Sequence, residues 1–266
     1  MPEPDPSILS TLHTIVAQLS AASYTPYSHH PVASAVLLSD GTWVPGVRVE
    51  NASFSLVIPS LLNAVTTAFA SGRRDIVGAV QSEPFSEADL AYIKGGFGGE
   101  MKRVAAEVVM QAKGPLPLRV EDRLDPFLPD PPPKTPEQGI ALARAVASLA
   151  YTPESAFPVG CVLVLEDGRM IPGVNVEHPD WPRILCAERN ALGTACSYAC
   201  LLPQTLYLTC PLDDHGSPCG ACRQILTELS PTLALWMDRG PRPPEKTTPA
   251  LLLPGFFEGG SLRRRA

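Results

Sequence analysis

The sequence predicts an α/β protein that contains two copies of one fold. The tripeptide Tyr-Thr-Pro occurs at 24–26 and again at 151–153, and a proline-rich stretch at 126–136 lies between the two. Each copy has the order helix, strand, Asp-Gly turn, strand, helix. Strands that alternate with helices indicate helices packed on a mixed sheet. The repeat and the strand-helix order together predict the fold class.

Each copy is predicted to open with an amphipathic helix. Apolar residues recur at helical spacing from Ile8 to Leu19 in the first copy and from Ile140 to Leu149 in the second. Asp5 and Thr135 are predicted N-caps, because each precedes a proline and proline suits the first helical position. Thr135 also has a glutamine three positions later, which is the pattern of a capping box.

Two strands and a second helix are predicted next in each copy. Val32 to Leu38 and Val159 to Leu165 are continuous apolar runs, and each is followed by an Asp-Gly hairpin signal. The following helices are predicted over Ser60 to Ala70 and Ala187 to Cys196. The second copy is then predicted to continue with a strand over 205–210, a helix over 219–229 and a strand over 233–237.

The two copies align without a gap over about forty residues, which predicts the domain organisation. In this alignment Pro-Gly-Val at 45–47 meets 172–174, and Val-Glu at 49–50 meets 176–177. Proline resists both helix interiors and sheet ladders, so 126–136 is predicted to be a stiff, extended linker. We therefore expect a first domain at 1–125, the linker at 126–136 and a second domain at 137–266.

Composition excludes several classes of protein. Hydrophobic residues make up 45% of the chain, which is too many for general disorder. The net charge of −6 is opposite in sign to the basic footprint of a nucleic-acid binder. No apolar run approaches the ~18 residues of a membrane span. The start, MPEPDPS, does not resemble a signal peptide, so we expect a cytoplasmic protein whose cysteines are free thiols or metal ligands.

All seven cysteines lie in the second copy, and three of them form a metal-binding pattern. Cys219 and Cys222 lie in one predicted helical turn, and Cys186 begins another predicted helix. Three thiolates leave a fourth tetrahedral position open, as in catalytic zinc sites, where bound water has a lowered pKa. Glu188 is placed to move protons rather than to bind metal. The remaining cysteines are predicted to be packing residues: Cys161, Cys196, Cys200 and Cys210.

Residues 150–262 resemble the free-nucleoside cytidine deaminases. The matching blocks are Phe-Pro-Val-Gly at 157–160, Asn-Val-Glu at 175–177, Cys-Ala-Glu-Arg at 186–189, Ser-Pro-Cys-Gly-Ala-Cys-Arg-Gln at 217–224, and Leu-Leu-Pro at 252–254 with Phe257. The resemblance implies tandem three-layer α/β/α domains, each with a mixed central sheet. It also implies hydrolytic deamination of cytidine and deoxycytidine to uridine and deoxyuridine, with release of ammonia, in pyrimidine salvage.

The resemblance implies a role for each matched residue. One Zn²⁺ per chain would be held by Cys186, Cys219 and Cys222, with Glu188 as the proton shuttle. Substrate contacts are implied for Phe157 at the base, Asn175 and Glu177 at the ribose, the backbone at Ala187 and Ser217, the aromatic ring of Trp181, and Phe257 at a domain or subunit boundary. Arg189 is similar to the family's arginine that tempers the thiolate charge, and Arg223, one residue after Cys222, is a second candidate cation near the metal.

The first copy lacks the metal-binding residues. When the copies are aligned, Pro59 stands in place of Cys186 and Leu61 in place of Glu188, while Tyr92 and Gly95 stand opposite the other two cysteines. We expect a retained fold without zinc, in a homodimer that has four deaminase-like domains. The family usually continues Asn-Val-Glu with Asn-Ala-x-Tyr, but the second copy has His-Pro-Asp-Trp at 178–181.

Two alternatives stay open on the sequence alone. The altered 178–181 loop allows a deaminase of a modified or analogue cytosine nucleoside. A non-enzymatic zinc scaffold, with a degenerate half that binds a nucleoside or a partner, is the alternative from a different class. His178 is expected to be a loop residue with local hydrogen bonds.

Overall fold

The computed structural model describes residues 6–94, 100–112, 117, 119–200 and 203–262, which form an α/β fold. Its helices are α1 (Pro6–Leu19), α2 (Ser60–Ala70), α3 (Glu87–Lys94), α4 (Pro136–Ala147), α5 (Ala187–Ser197), α6 (Gly220–Leu229) and α7 (Pro249–Leu252). Its strands are β1 (Ala33–Leu38), β2 (Trp43–Val47), β3 (Ile76–Gln81), β4 (Met101–Ala105), β5 (Val108–Gln111), β6 (Gly160–Leu165), β7 (Met170–Val174), β8 (Pro203–Thr209), β9 (Ala234–Arg239) and β10 (Arg242–Thr247). None of the described helices is long and apolar enough to cross a membrane. We call the chain through β5 the N-terminal half and the chain from α4 onward the C-terminal half.

The predicted start of α4 is confirmed. Thr135 is the N-cap, and its side chain accepts a hydrogen bond from the backbone N–H of Gln138 at 3.3 Å. The Gln138 side chain in turn accepts from the N–H of Lys134 at 2.8 Å. These bonds satisfy donors that a helix end leaves unpaired. The helix α1 begins at Pro6, and its predicted cap Asp5 lies outside the described residues.

The C-terminal half contains the predicted mixed sheet, in the strand order β7-β6-β8-β9-β10. Strands β8 and β9 are parallel because α6 carries the chain back between them, and the other pairs are antiparallel. Helices cover both faces of the sheet. Gly160 faces α4, where an added Cβ would lie 2.5 Å from the carbonyl oxygen of Ala143. Cys161 points to the other face, towards Gly173 and Ala191 of α5, which gives three layers.

The N-terminal half has a five-stranded sheet in the order β2-β1-β3-β5-β4, and all its pairings are antiparallel. The prediction of a mixed sheet is wrong for this half. After α3 the chain enters the edge strand β4 first and returns through a short hairpin to place β5 beside β3. In the other half the chain leaves α6 directly into β9, next to β8. Tyr92 therefore lies on α3, and Gly95 lies outside the described residues.

Unusual backbone conformations recur at equivalent positions of the two copies. His29 and Ala156 both have positive φ, of 55° and 52°, and both lie just after the Tyr-Thr-Pro tripeptide. Gly41 and Gly168, in the two Asp-Gly turns, have φ of 91° and 87°. A positive φ strains a residue that has a Cβ, so glycine suits the two hairpin turns. The two halves therefore follow the same backbone path at these points.

The two halves share one hydrophobic core, with α2 and α5 packed against each other between the sheets. At their contact the hydroxyls of Thr67 and Thr194 are hydrogen-bonded at 2.8 Å, and both side chains are buried. These threonines occupy equivalent positions in the two copies. A contact between two corresponding residues is typical of an interface with two-fold symmetry. The N-terminal half is consequently packed against α5, the helix that follows Cys186.

The proline-rich stretch 126–136 lies on the C-terminal half. The N–H of Leu128 donates to the carbonyl of Met170 at 2.9 Å. The ring of Phe127 packs edge-on against Tyr198, and the guanidinium of Arg169 lies over the Phe127 ring, 4.4 Å from its centre. These contacts attach the stretch to the edge strand β7 and to Tyr198 at the end of α5.

Candidate metal centre

Three cysteines meet where α5 and α6 begin. Cys186 is the N-cap of α5, Cys219 is the N-cap of α6, and Cys222 lies in the first turn of α6. The three Sγ atoms lie within 4.8 Å of one another, and those of Cys186 and Cys219 are 3.8 Å apart. Helix α5 begins at Ala187, as predicted, and α6 begins at Gly220, one position later than predicted, so that Cys186 and Cys219 are the caps of the two helices. The fold thus joins two segments that are well separated in the chain.

The three sulfurs fit a tetrahedral zinc ion. Zn–S bonds of about 2.3 Å at tetrahedral angles set sulfur ligands about 3.8 Å apart, which is the separation of Cys186 and Cys219. Thiolates are also the soft ligands that zinc prefers. The Cys186 and Cys222 thiols, with backbone N–H groups at the start of α6, stabilise the Cys219 thiolate and lower the pKa of Cys219. The donor set and its spacing therefore suit a thiolate-bound metal.

Glu188 is a buried carboxylate beside the cysteine cluster. It lies in the first turn of α5 and is only 3% exposed. The Cys222 thiol donates to Oε2 of Glu188 at 3.3 Å. Burial raises the pKa of Glu188 to about 7, because the charged form loses its hydration. Such a group can bind or release a proton near neutral pH.

Arg223 organises the loop that precedes Cys219. Its Nη2 donates to Oγ of Ser217 at 2.7 Å, and its Nε donates to the carbonyl of Pro218 at 2.8 Å. Its Nη1 reaches the carbonyl of Leu252 at 3.3 Å. The hydrogen bonds of Arg223 are thus to backbone and to a hydroxyl around the cluster. Ala187, the other predicted backbone contact, is fully buried next to Cys186.

Asn175 and Glu177 hold the turn that carries Phe157. The amide of Asn175 accepts from the N–H of Val159 at 2.8 Å and donates to the carbonyl of Phe157 at 2.9 Å. The Glu177 carboxylate accepts from the N–H and from the hydroxyl of Ser155. Both side chains are buried, and Phe157 is half-buried. These two polar residues therefore shape the segment just before β6.

Trp181 lies in a short 3₁₀ turn and is 72% exposed. The residues around it contact the N-terminal half. The ring of His178 accepts from the N–H of Asp180 at 2.9 Å and donates from Nε2 to the carbonyl of Tyr92 at 3.2 Å. Arg183 lies over the ring of Tyr92. The expected local hydrogen bond of His178 is present, and the loop is in addition attached to α3.

Phe257 is 52% exposed in the segment after α7. Its carbonyl oxygen accepts from the side chain of Gln224 at 2.9 Å. Gln224 follows Cys222 closely on α6, so the C-terminal segment runs over the helix that carries two of the cysteines.

Comparisons with known proteins match part of the chain. Residues 133–235 match the family model of the cytidine and deoxycytidylate deaminase zinc-binding region. A cytidine deaminase of Sporosarcina psychrophila is 36% identical over 122 residues, which are 46% of this chain and 90% of that protein. The chain belongs to the cytidine deaminase family. A cytidine deaminase of Mycobacterium tuberculosis (strain H37Rv) is 42% identical over 94 residues, 32% of this chain and 65% of that one.

A solved structure of a cytidine deaminase from Burkholderia pseudomallei has 35% sequence identity to this chain. It covers 46% of this chain and 99% of its own, with a TM-score of 0.44. The cytidine deaminases named above are thus matched over about half of this chain or less. The three cysteines and Glu188 all lie inside the stretch that the family model matches.

The segment 51–57 of the N-terminal half also reaches the site of this cytidine deaminase family member, which sequence reasoning missed. The carbonyl of Leu56 accepts from Nη2 of Arg189 at 3.1 Å. The N–H of Ala52 donates to Glu228 of α6 at 2.9 Å, and Phe54 between them is 87% exposed. The signal was available: Asn-Ala-Ser-Phe at 51–54 has the Asn-Ala-x-aromatic pattern that the second copy lacks.

Proposed function

We propose that this chain catalyses the zinc-dependent hydrolytic deamination of cytidine and deoxycytidine to uridine and deoxyuridine, with release of ammonia. Pyrimidine salvage is the process that this reaction serves. One observation carries the proposal: three cysteine sulfurs lie within 4.8 Å of one another, which leaves a fourth tetrahedral position open, and the buried carboxylate of Glu188 lies 3.3 Å from the sulfur of Cys222. A structural zinc site would use a fourth protein ligand instead.

Cys186, Cys219 and Cys222 would hold one Zn²⁺ in the C-terminal half. When bound, zinc supplies a Lewis acid that lowers the pKa of water to about 7. Three thiolates carry more negative charge than the ion neutralises, so nearby cations and helix N-termini are needed. Both cluster helices begin at the cysteines, and Arg189 follows Glu188 in the first turn of α5.

Glu188 is the proposed catalytic residue. Its carboxylate would accept a proton from the attacking water and deliver it to N3 of the cytosine ring. The water oxygen bonds to C4, and Glu188 would then take the proton of that C4 hydroxyl and give it to the amino group, so that the C4–N bond breaks, ammonia leaves and a C4 carbonyl remains. The raised pKa of Glu188, about 7, suits a group that must both take and give a proton at neutral pH. Its burial also keeps bulk water away from the proton it carries.

The segment 154–159 is the proposed nucleoside-binding turn. Asn175 and Glu177 keep this turn in place through its backbone, which supports a role for Phe157 against the face of the base. Asn175 and Glu177 are two apart in the chain and extend to the same side, so both would also meet a ribose diol. The backbone at Ala187 and Ser217, with Trp181 and Phe257, completes the proposed substrate contacts.

We also propose two deaminase-like domains per chain, with a zinc-free copy at 1–125, a linker at 126–136 and the catalytic copy at 137–266. The positive-φ conformations that recur at equivalent positions support the two copies. The zinc-free copy would complete the site through its 51–57 segment. A homodimer would bring together four such domains, and light scattering that gives the mass of one chain would contradict it. We expect the protein in the cytoplasm, with no nucleic-acid partner.

The altered loop at 178–181 is the reason to consider a modified or analogue cytosine nucleoside. In the structure this loop is attached to the N-terminal half through the hydrogen bond of His178 to the carbonyl of Tyr92. A panel of cytidine, deoxycytidine and base-modified analogues separates the two. Turnover of an analogue without turnover of cytidine would reverse the assignment.

The decisive experiment measures ammonia release from cytidine by the purified chain, together with its zinc content. We expect about one zinc per chain and turnover that a chelator abolishes and added zinc restores. Cys222→Ser is the matched control, because it removes one buried ligand and should lose zinc and turnover together. Stoichiometric zinc without ammonia release from any nucleoside would overturn the proposed deaminase activity and favour the non-enzymatic zinc scaffold.

A further inference from the structure

Segment 51–57 of the N-terminal half is held at both ends by the two helices of the metal site. One end contacts Glu228, near the end of α6, and the other contacts Arg189, at the start of α5. We propose that Glu228 is a positioning residue that, through this segment, holds Arg189 in place beside Glu188. The proposal rests on the proposed function, and it gives the zinc-free half a task in the chemistry.

The Glu228 carboxylate gathers its donors from the N-terminal half. Oε1 accepts from the phenol of Tyr27 at 2.7 Å, and Oε2 accepts from the side-chain amide of Asn51 at 2.7 Å. The N–H of Ala52 lies between the two oxygens, at 2.9 Å from Oε2 and 3.2 Å from Oε1. A phenol, an amide and a backbone N–H are all neutral donors. Hydrogen bonds to an ionised acceptor are stronger than those between neutral groups, so this carboxylate is well suited to fix the segment.

The segment is shaped locally so that its two ends act together. The Asn51 side chain that donates to Glu228 also accepts from the N–H of Ser53 at 2.9 Å. The next residues, Phe54–Leu56, form a 3₁₀ turn that ends at the carbonyl used by Arg189. An Asx turn followed by a 3₁₀ turn restricts the backbone between the contact of Asn51 with Glu228 and the contact of Leu56 with Arg189. A shift at Asn51 is therefore transmitted to Leu56.

The orientation of the Arg189 side chain depends on the Leu56 end of segment 51–57. Its Nη2 donates to the carbonyl of Leu56 at 3.1 Å. In the described part of the chain its Nε is buried and meets no hydrogen-bond partner. The Leu56 carbonyl thus sets the direction of a guanidinium whose residue follows Glu188 in the chain. Without that acceptor the side chain would lose its fixed orientation and its charge would move relative to the catalytic carboxylate.

The corresponding loop of the C-terminal half is attached differently. His178 occupies the position equivalent to Asn51, and it uses one ring nitrogen to reach the carbonyl of Tyr92. There the acceptor is a backbone carbonyl, whereas Asn51 and Ala52 share an ionised side chain. The Glu228 carboxylate is on α6, the helix at whose start two of the cysteines lie. This asymmetry is expected if the hydrogen bonds of Glu228 serve the metal site and not only the contact between halves.

The test compares Glu228→Ala with Glu228→Gln in the full chain loaded with zinc. The alanine removes every acceptor, whereas the glutamine keeps one oxygen for Asn51 and Ala52 and can donate to Tyr27. We expect the alanine to lower kcat about tenfold, a factor within the range measured for residues of one hydrogen-bond network, and the glutamine to restore most of it. Zinc content should stay at the wild-type value in both. Glu137→Gln, an exposed change on α4, is the matched control and should leave kcat unchanged.

A double-mutant cycle with Arg189 separates positioning from stability. In an Arg189→Ala chain, or Arg189→Lys if the first folds poorly, Glu228→Ala should change kcat by less than about twofold, because its effect passes through the missing guanidinium. A purely structural role would lower the Tm equally in both backgrounds and multiply the losses in kcat. Multiplied losses, or an unchanged kcat in Glu228→Ala, would overturn the inference. A wild-type chain that releases no ammonia would instead overturn the proposed function.

Discussion

Helices α2 and α5 start with the same backbone conformation but carry different side chains there. Pro59 and Cys186 are both N-caps in the extended region, with φ of −62° and −74° and ψ of 146° and 158°. Each helix begins against a glycine on the neighbouring strand. An added Cβ at Gly46 or Gly173 would lie only 2.1 Å or 2.3 Å from the carbonyl oxygen of the first helical residue. The close approach of helix to strand is thus independent of the chemistry at the helix start.

Two positions beyond each cap the halves diverge. Leu61 is buried in the hydrophobic core, and Glu188 is buried beside Cys222. Burial of a carboxylate is unfavourable unless it is hydrogen-bonded, whereas burial of leucine is favourable. The shared backbone therefore buries the side chain two positions after the cap in both halves, whether it is leucine or glutamate. A charged group there implies a function, and an apolar group implies stability.

The largest expected effect is that of Glu188→Ala. Loss of the proton carrier should lower kcat/KM by roughly 10²- to 10⁴-fold, as for other general acid–base residues. Zinc content should stay at the wild-type level, because the carboxylate is not a ligand. Steady-state ammonia release and metal analysis measure the two. Near-native turnover would remove Glu188 from the mechanism and break the comparison.

At the matching position, Leu61→Ala should act on stability alone. Removal of a fully buried leucine side chain lowers the free energy of unfolding by about 2–5 kcal/mol. Urea unfolding measures this change, and the kcat of the folded protein should be unaffected. A loss of kcat comparable with that of Glu188→Ala would show that the N-terminal position shares in the chemistry.

Substitutions of Gly46 and Gly173 should have a smaller effect on stability and extend the comparison of the two halves. Gly46→Ala and Gly173→Ala each force a Cβ against the first helical carbonyl, and such overpacking costs about 1–3 kcal/mol of stability. Only Gly173→Ala should also lower kcat, because the carbonyl that it displaces belongs to Ala187, which follows Cys186. Thermal unfolding and ammonia release of both variants test this. Equal losses of activity would mean that the halves are coupled through their strands.

The smallest effect is expected where the halves meet. Thr67→Val and Thr194→Val should each lower the free energy of unfolding by about 0.5–1.5 kcal/mol, since each removes one partner of a buried hydrogen bond. The double variant should be destabilised by less than the sum, because the hydrogen bond between the two hydroxyls can be lost only once. Urea unfolding of the four proteins gives the coupling. Additive losses would show that the two hydroxyls act independently.

Local patterns allowed much of this structure to be predicted. Thr135, Pro136 and Gln138 predicted the start of α4 because a helix cap depends on neighbours in sequence. The spacing of Cys219 and Cys222 predicted a shared site for the same reason. The mixed sheet of the N-terminal half was predicted wrongly. Whether the chain enters the inner or the edge strand after a helix is decided by packing against the finished sheet.

The sequence by itself predicted the two related halves, the positions of most helices and strands, and the three cysteines with their glutamate. Each of these depends on periodicity or on short spacing, which a chain carries without its fold. Only the tertiary structure decided that the 51–57 segment contacts Arg189 and Glu228. Those residues are far from the segment in the chain, and the contact exists because α2 and α5 pack together and bring a loop of one half over the helices of the other.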